Sequence, residues 1–88
     1  MKLNGEFILR QVGEDVVAVP TGETALQFNG MILLNAVSRL LWERLVEGCS
    51  LSDLVTAVTA AFDVSAAEAE ADIEEFIASL RQAGFLSA

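Results

Sequence analysis

The chain has 88 residues, of which 53% are hydrophobic and 20% charged, and its 13 acidic and 5 basic side chains give a formal net charge of −8. This length and composition predict one small globular domain over residues 1–88, without room for a deep catalytic cavity. The acidic balance disfavours nucleic acid and anionic membranes, because both are bound through clustered Lys and Arg. Histidine is absent and Cys49 is the single cysteine, which excludes an internal disulfide and a thiolate metal cluster.

The first third of the chain has the composition of β-strands. Phe7 to Val12 and Asp15 to Val19 are rich in branched and apolar residues, and Gly13-Glu14 separates them. This pattern predicts a tight antiparallel hairpin. Pro20 is expected to end the second strand, and residues 21–23 read as a loop.

The segment from Thr24 to Ser38 carries no charge. Its Asn29-Gly30 pair is a strong hairpin signal, and it suggests that Ala25 to Phe28 pairs with Met31 to Leu34. The Met31 to Leu34 run has neither proline nor lysine. In the middle of a sheet this run would be core, whereas at an edge it would be an open template for another backbone.

The rest of the sequence predicts three helices, each preceded by a capping residue. Their predicted extents are Asn35 to about Glu47, Ser50 to about Phe62 and Ser65 to about Ala83. Gly48 and Gly84 are expected to end the first and third helices, and Phe85-Leu86 to fold back onto the core. Strands followed by helices indicate an α+β domain with an antiparallel sheet and helices packed to one side.

The third predicted helix has one apolar face and two charged flanks. Beside Phe76 and Leu80 of the apolar face, one flank carries Glu68, Asp72, Glu75 and Ser79, and the other carries Glu70, Glu74 and Arg81. These flanks are either solvated surfaces or, on one side, the wall of a groove whose opposite wall is a strand. An acidic wall would favour a partner that carries Lys or Arg.

The chain has no recognisable catalytic motif. No base accompanies a nucleophile, and the glycines are dispersed at turns rather than grouped in a phosphate-binding loop. Glu68, Asp72 and Glu75 could hold a divalent cation loosely, but adjacent surface carboxylates are common. We therefore expect no enzyme, no metal site and no cofactor. The sequence also has no signal peptide and no run of membrane-spanning length, which favours a cytosolic soluble protein.

An ordered set of residues resembles the PqqD-like family, which includes the peptide-recognition domains of ribosomally made, post-translationally modified peptides (RiPPs). The matching segments are Phe7–Arg10, Val16–Pro20, Asn29–Asn35, Leu41-Trp42 with Leu45 and Gly48, Leu54-Val55, Asp72-Ile73, Phe76-Ile77, Leu80 and Gly84–Leu86. The resemblance implies a winged-helix-like fold in which a three-stranded antiparallel sheet is followed by three helices. It also implies that a leader peptide adds as a further strand to the edge of strand three, in a groove against helix three.

The resemblance can be carried over residue by residue. Met31, Ile32, Leu33 and Leu34 would pair with the peptide through their backbone, and Asp72, Glu75, Phe76, Ser79 and Leu80 would form the opposing wall. The flank with Glu70, Glu74 and Arg81 remains an alternative wall. The implied protein is a stand-alone, non-catalytic peptide chaperone that delivers a precursor peptide to a radical S-adenosylmethionine protein, a protease or a cyclase. Nothing in the sequence points to pyrroloquinoline quinone itself.

Two other interpretations remain open. The winged-helix fold is shared with nucleic-acid binders, but the second helix carries Asp53 without Lys or Arg, and the third has one Arg among five acids. An open edge strand could also pair with its own copy, so a homodimer that uses or blocks the groove is the other alternative.

Overall fold

The computed structural model describes residues 1–28 and 30–87. Within them the chain forms β1 (Lys2–Leu3), β2 (Phe7–Val12), β3 (Asp15–Pro20), α1 (Gly22–Gln27), β4 (Ile32–Leu34), α2 (Ala36–Glu47), α3 (Leu51–Ala61), α4 (Ala66–Gln82) and β5 (Leu86–Ser87). The predicted α+β class is confirmed, with a three-stranded antiparallel sheet in the order β2-β3-β4.

The β2–β3 hairpin forms where the sequence predicts it. Its register runs from Phe7 opposite Pro20 to Val12 opposite Asp15, which leaves Gly13-Glu14 as a two-residue turn. Gly13 has a φ of +64°, a conformation that glycine adopts without the steric cost of a Cβ atom. A two-residue turn with a positive φ at its first position has a backbone twist that matches the flanking strands. This turn therefore fixes the register of the hairpin.

The three long helices also form as predicted. Asn35 and Ser50 each accept a hydrogen bond from the backbone N–H three residues on, and the side chains of Ser38 and Asp53 bond back to complete both capping boxes. At α4 the Ser65 hydroxyl accepts from the Glu68 N–H and donates to its carboxylate. These bonds satisfy backbone donors that have no partner within the helix.

The segment between β3 and β4 differs from the prediction. Residues 22–27 form the short helix α1 instead of a loop and a strand, so the predicted pairing of Ala25–Phe28 with Met31–Leu34 is wrong. β4 pairs directly with β3, and the Glu, Ala, Leu and Gln of α1 have helix propensities that favour a helix over a strand. Asn29, half of the predicted turn, lies outside the described residues. The described helices therefore number four, one of them between β3 and β4.

The two ends of the chain meet in a second, two-stranded sheet of β1 and β5, which the sequence did not predict. The Asn4 N–H donates to the Phe85 carbonyl at 2.7 Å, and the Met1 ammonium group donates to the Cys49 carbonyl at 2.7 Å. The predicted return of Phe85 and Leu86 to the core is confirmed, because both are buried.

The core lies between the inner face of the three-stranded sheet and α2, α3 and α4. Its fully buried side chains include Ala18, Leu34, Leu41, Leu45, Leu54, Ala69 and Ile73. Phe7 links sheet and helices through edge-to-face contacts with Trp42 and Phe85, each with ring centroids 5.0 Å apart. On the predicted apolar face of α4, Leu80 is buried and Phe76 is half-buried. The likeness to winged helices remains a prediction.

Candidate functional site

β4 is one of the two edge strands of the three-stranded sheet. Thr21 N–H donates to the Glu6 carbonyl at 2.9 Å, which extends the β2–β3 ladder by one step. Because residues of an antiparallel ladder alternate between the two sides of a strand, this bond sets the direction of every backbone group in the sheet. Val16 and Ala18 therefore bond to Leu34 and Ile32, their partners in the register.

Leu33 is consequently the residue of β4 whose N–H and C=O point away from β3. The hydrogen bonds between described residues leave both groups open, and the Leu33 side chain is 65% exposed. The next outward position, Asn35, is already used, because its N–H donates to the Ser38 hydroxyl. The open edge of β4 is thus short and centred on one residue.

A groove runs along this edge and has α4 as its opposite wall. Its volume is about 390 Å³, and it is lined by Leu33, Asn35, Val37, Ser38, Leu41, Asp72, Glu75, Phe76 and Ser79. Binding pockets commonly measure about 300–1,000 Å³, so this groove has room for a few side chains. Val37 and Phe76, both half-buried, supply its apolar surface, and Leu41 lies almost fully buried beneath them.

The polar wall of the groove is acidic. Asp72 and Glu75 are both exposed and line it from α4. Within the part of the chain that the structure describes, the recorded ion pair is Arg39–Glu43, and neither Asp72 nor Glu75 has a cationic partner. None of the lining residues is Lys or Arg, so the groove presents two unpaired negative charges.

The structure brings together five of the nine predicted site residues around the groove: Leu33, Asp72, Glu75, Phe76 and Ser79. The side chains of Leu34 and Leu80 are almost fully buried, so they support the groove from the core. Met31 precedes β4 and is exposed, and Ile32 is half-buried. On the alternative flank, Glu74 and Arg81 line a different depression, with Met1, Leu51, Ile77 and Ala78.

The first turn of α2 contributes residues to the groove that the sequence did not predict. Val37, Ser38 and Leu41 line the groove, and none of them was among the predicted site residues. A signal was present, because Asn35 alone separates β4 from α2. So short a connection forces the first turn of the helix to lie beside the end of the strand.

Cys49 and the acidic side chains are the described groups with a potential for covalent or metal chemistry. Partial burial raises the pKa of the Cys49 thiol, so less of the reactive thiolate is present at neutral pH. Among the described residues no group of three His, Cys, Asp or Glu side chains is placed to hold a metal ion. No described helix combines the length and the apolar character needed to cross a membrane. What the groove does offer is an open backbone edge, an apolar floor and an acidic wall.

Comparison with known proteins gives a family and two structural relatives. The family model described as coenzyme PQQ synthesis protein D (PqqD) matches residues 16–86. "TbiB1 in Complex with the TbiA(beta) Leader Peptide" is 25% identical, with a TM-score of 0.73, and the alignment covers 100% of this chain and 96% of that chain. "Lasso peptide synthetase B1 complexed with the leader peptide" is 25% identical, with a TM-score of 0.71 and coverage of 96% and 93%. No curated protein matches the sequence significantly.

Proposed function

This chain belongs to the PqqD family, and we propose that it is a RiPP recognition element, which binds the leader of a ribosomally made precursor peptide and presents it to a modifying enzyme. The observation that carries the proposal is the groove between the open β4 edge and α4. It occurs in a fold shared, over nearly the whole chain, with two proteins whose structures contain a leader peptide. The protein itself would be non-catalytic and would need no cofactor.

The leader would bind by adding a strand to β4. Leu33 would exchange both of its backbone hydrogen bonds with one residue of the peptide, and Met31 would extend the pairing at the strand's start. Ile32 and Leu34 would contribute by holding β4 in place against β3, since the ladder directs their backbone groups inward. One such pair gives about 1–3 kcal/mol, so side-chain contacts must supply much of the affinity.

Those contacts would come from the apolar floor of the groove. Every second side chain of an added strand points to the same face, and here that face would meet Val37 and Phe76, with Leu41 supporting them from the core. Leu80 lies one helical turn after Phe76 on α4 and is buried, so it would support the groove from the core without touching the peptide. We therefore expect leaders with an apolar residue, such as Leu, Ile or Val, at an inward-facing position.

The acidic wall would select the charge of the leader. Asp72 and Glu75 are one helical turn apart on α4 and have no cationic partner, and Ser79 continues the same flank one turn further. A Lys or Arg on the peptide would complement them. The net charge of −8 would strengthen the general attraction of a cationic leader. The flank of Glu74 and Arg81 is less suited, since it borders a different depression.

The partner enzyme would be a radical S-adenosylmethionine protein, a protease or a cyclase, as the resemblance to the family implies. Such a system would operate in the cytoplasm, where the ribosome releases the precursor. Nucleic-acid binding has no supporting observation, because α3 presents Asp53 without Lys or Arg and the groove is negative.

The test is a titration of isotope-labelled protein with a synthetic peptide that covers the leader of a short precursor encoded beside this gene. The expected result is amide shifts at residues 31–34 and 72–83, with little change elsewhere. A scrambled peptide of the same composition is the matched control and should leave those amides in place. Shifts confined to other residues, or equal shifts with the scrambled peptide, would overturn the proposal.

A further inference from the structure

β2 is the other edge strand of the sheet, and it is longer than β4, with six residues. The ladder that directs Glu6, Ile8, Arg10 and Val12 toward β3 directs Phe7, Leu9 and Gln11 the other way. Between described residues, no hydrogen bond uses the outward N–H and C=O groups of these three residues. An exposed edge of this length is a template for pairing with another chain.

β2 has few of the features that normally protect an edge strand. It has no proline, no lysine and no break in its register with β3. Its exposed side chains are mostly apolar: Ile8 is 45% exposed, Leu9 39% and Val12 59%. Arg10 is its single charged residue, in a chain whose net charge is −8.

We propose that β2 pairs antiparallel with β2 of a second copy of this chain, so that two sheets join into one and both β4 edges stay free. A two-fold axis through Leu9 would place Leu9 opposite Leu9 of the second copy and Phe7 opposite Gln11. This register joins the three outward-facing residues of each strand in hydrogen-bonded pairs, which gives about six backbone hydrogen bonds.

The number of backbone hydrogen bonds selects this register over its two neighbours. A two-fold axis through Arg10 would place two guanidinium groups directly opposite each other and would join fewer outward-facing residues. With the axis through Leu9, Arg10 lies opposite Ile8 of the second copy, where its aliphatic stem can pack. Like charges directly opposite on paired strands are destabilising. A two-fold axis through Ile8 would place Arg10 opposite Glu6 of the second copy, but within β2 it would pair only Phe7 with Leu9. The Leu9-centred register therefore forms the most backbone hydrogen bonds.

The dimer is weak and reversible. Stable protein interfaces bury roughly 1,200–2,000 Å², and the edges of two short strands fall below this. The two copies also carry eight negative charges each, which repel at low ionic strength and are screened by salt. We therefore expect a dissociation constant on the order of 10⁻⁴ M, which decreases as salt increases.

The test is sedimentation of the full chain from about 10 μM to about 1 mM, with and without saturating leader peptide. The average mass should rise above the 9.4 kDa of one chain toward that of a dimer, and the peptide should leave this rise unchanged. A chain that stays monomeric at 1 mM, or a dimer that the peptide dissociates, would overturn the proposal. The second result would place self-association on the β4 edge instead.

Leu9→Lys is the variant that probes this edge, since it places two ammonium groups on the two-fold axis. It should weaken dimerisation at least tenfold. Leu26→Lys is the matched control, because Leu26 lies on α1, is 86% exposed and gives the same change in charge. Leu9→Pro removes one outward N–H and spares the ladder with β3, so it should also weaken the dimer while circular dichroism confirms folding. Equal dimerisation in all three variants would contradict the pairing of β2.

Amide shifts on dilution distinguish a second copy from other occupants of β2. Phe7, Leu9 and Gln11 should shift with protein concentration, while Leu33 should not. If these β2 amides respond to the leader peptide and not to dilution, β2 binds the peptide and the dimer proposal is wrong.

Discussion

The two edges of one three-stranded sheet differ in length, surroundings and charge. β4 has three residues, one of them facing outward, and lies in a groove with an acidic wall on α4. β2 has six residues, carries Arg10 as its single charge and pairs with β3 alone in the sheet. A short edge inside a groove has few backbone bonds to offer, so it must recognise side chains. A long open edge offers mainly backbone bonds, and a strand that is complementary to itself can use them.

The largest effect is expected from prolines placed at adjacent positions of β4. Ile32→Pro removes an N–H that the ladder directs to Ala18, whose side chain is fully buried. We expect a loss of about 2–4 kcal/mol of unfolding free energy, and thus a melting temperature lower by about 10 °C or more. Leu33→Pro removes only an outward N–H, so it should keep most of the stability and weaken leader binding about three- to tenfold.

Thermal unfolding and leader titration of both variants check this prediction. The β2 edge should be unaffected in folded Leu33→Pro, which should dimerise as the unmodified chain does. If Leu33→Pro unfolds as readily as Ile32→Pro, the assignment of outward and inward backbone groups on β4 is wrong.

Charge reversal on α4 should separate the groove from the rest of the acidic surface. Asp72→Lys combined with Glu75→Lys should weaken binding of a cationic leader about tenfold at low salt, because two favourable charge pairs become repulsive. Glu70→Lys combined with Glu74→Lys changes the net charge equally on the opposite flank, and should have a smaller effect. Isothermal titration calorimetry on all forms measures the difference. Equal losses in the two double variants would mean that net charge, not the groove, determines affinity.

Salt should act on the two edges in opposite directions. Raising sodium chloride from about 50 mM to about 500 mM screens the attraction between leader and groove, and also the repulsion between two acidic copies. Leader affinity should therefore fall while dimerisation strengthens, by a few-fold in each case. Calorimetry and sedimentation in the same buffers provide the comparison. If leader affinity and dimerisation both strengthen or both weaken as salt is raised, the proposed difference in charge between the two edges is wrong.

The smallest effect is expected from a residue remote from both edges. The backbone N–H and hydroxyl of Ser50 stabilise the Asp53 carboxylate and lower its pKa. Because the pKa of Asp53 is lower in the folded protein, the ionised carboxylate stabilises the fold at pH values above its unfolded-state pKa of about 3.9. This stabilisation is lost as the pH falls through the lower pKa of the folded protein. Asp53→Ala should therefore be slightly less stable at pH 7, with a difference that shrinks below about pH 4.

Leader affinity and dimerisation should be unchanged in Asp53→Ala, since α3 borders neither edge. Urea unfolding at several pH values measures the difference in stability. A stability difference that grows toward low pH would contradict the assigned direction of the pKa shift.

Local sequence patterns predicted most of the elements correctly. Gly13-Glu14 defined the first hairpin, the caps at Asn35, Ser50 and Ser65 defined three helices, and Asp72, Glu75 and Phe76 were assigned to one side of α4. Each of these rests on interactions within a few residues of the chain, which a single sequence displays. The segment 25–28 was assigned wrongly: the turn signal indicated a hairpin with residues 31–34, but residues 22–27 form α1 and β4 pairs with β3 instead.

The sequence by itself determined the class of the fold, the extents of the main helices, the acidic character of α4 and the resemblance to the PqqD family. Only the tertiary structure decided that β4 and β2 are both edges, that Leu33 faces outward, and that Val37 and Leu41 complete the groove. The physical reason is that hydrophobic periodicity and capping act over one or two helical turns. Strand order and the direction of each backbone N–H depend instead on which distant segments pair, and a lone sequence does not display that pairing.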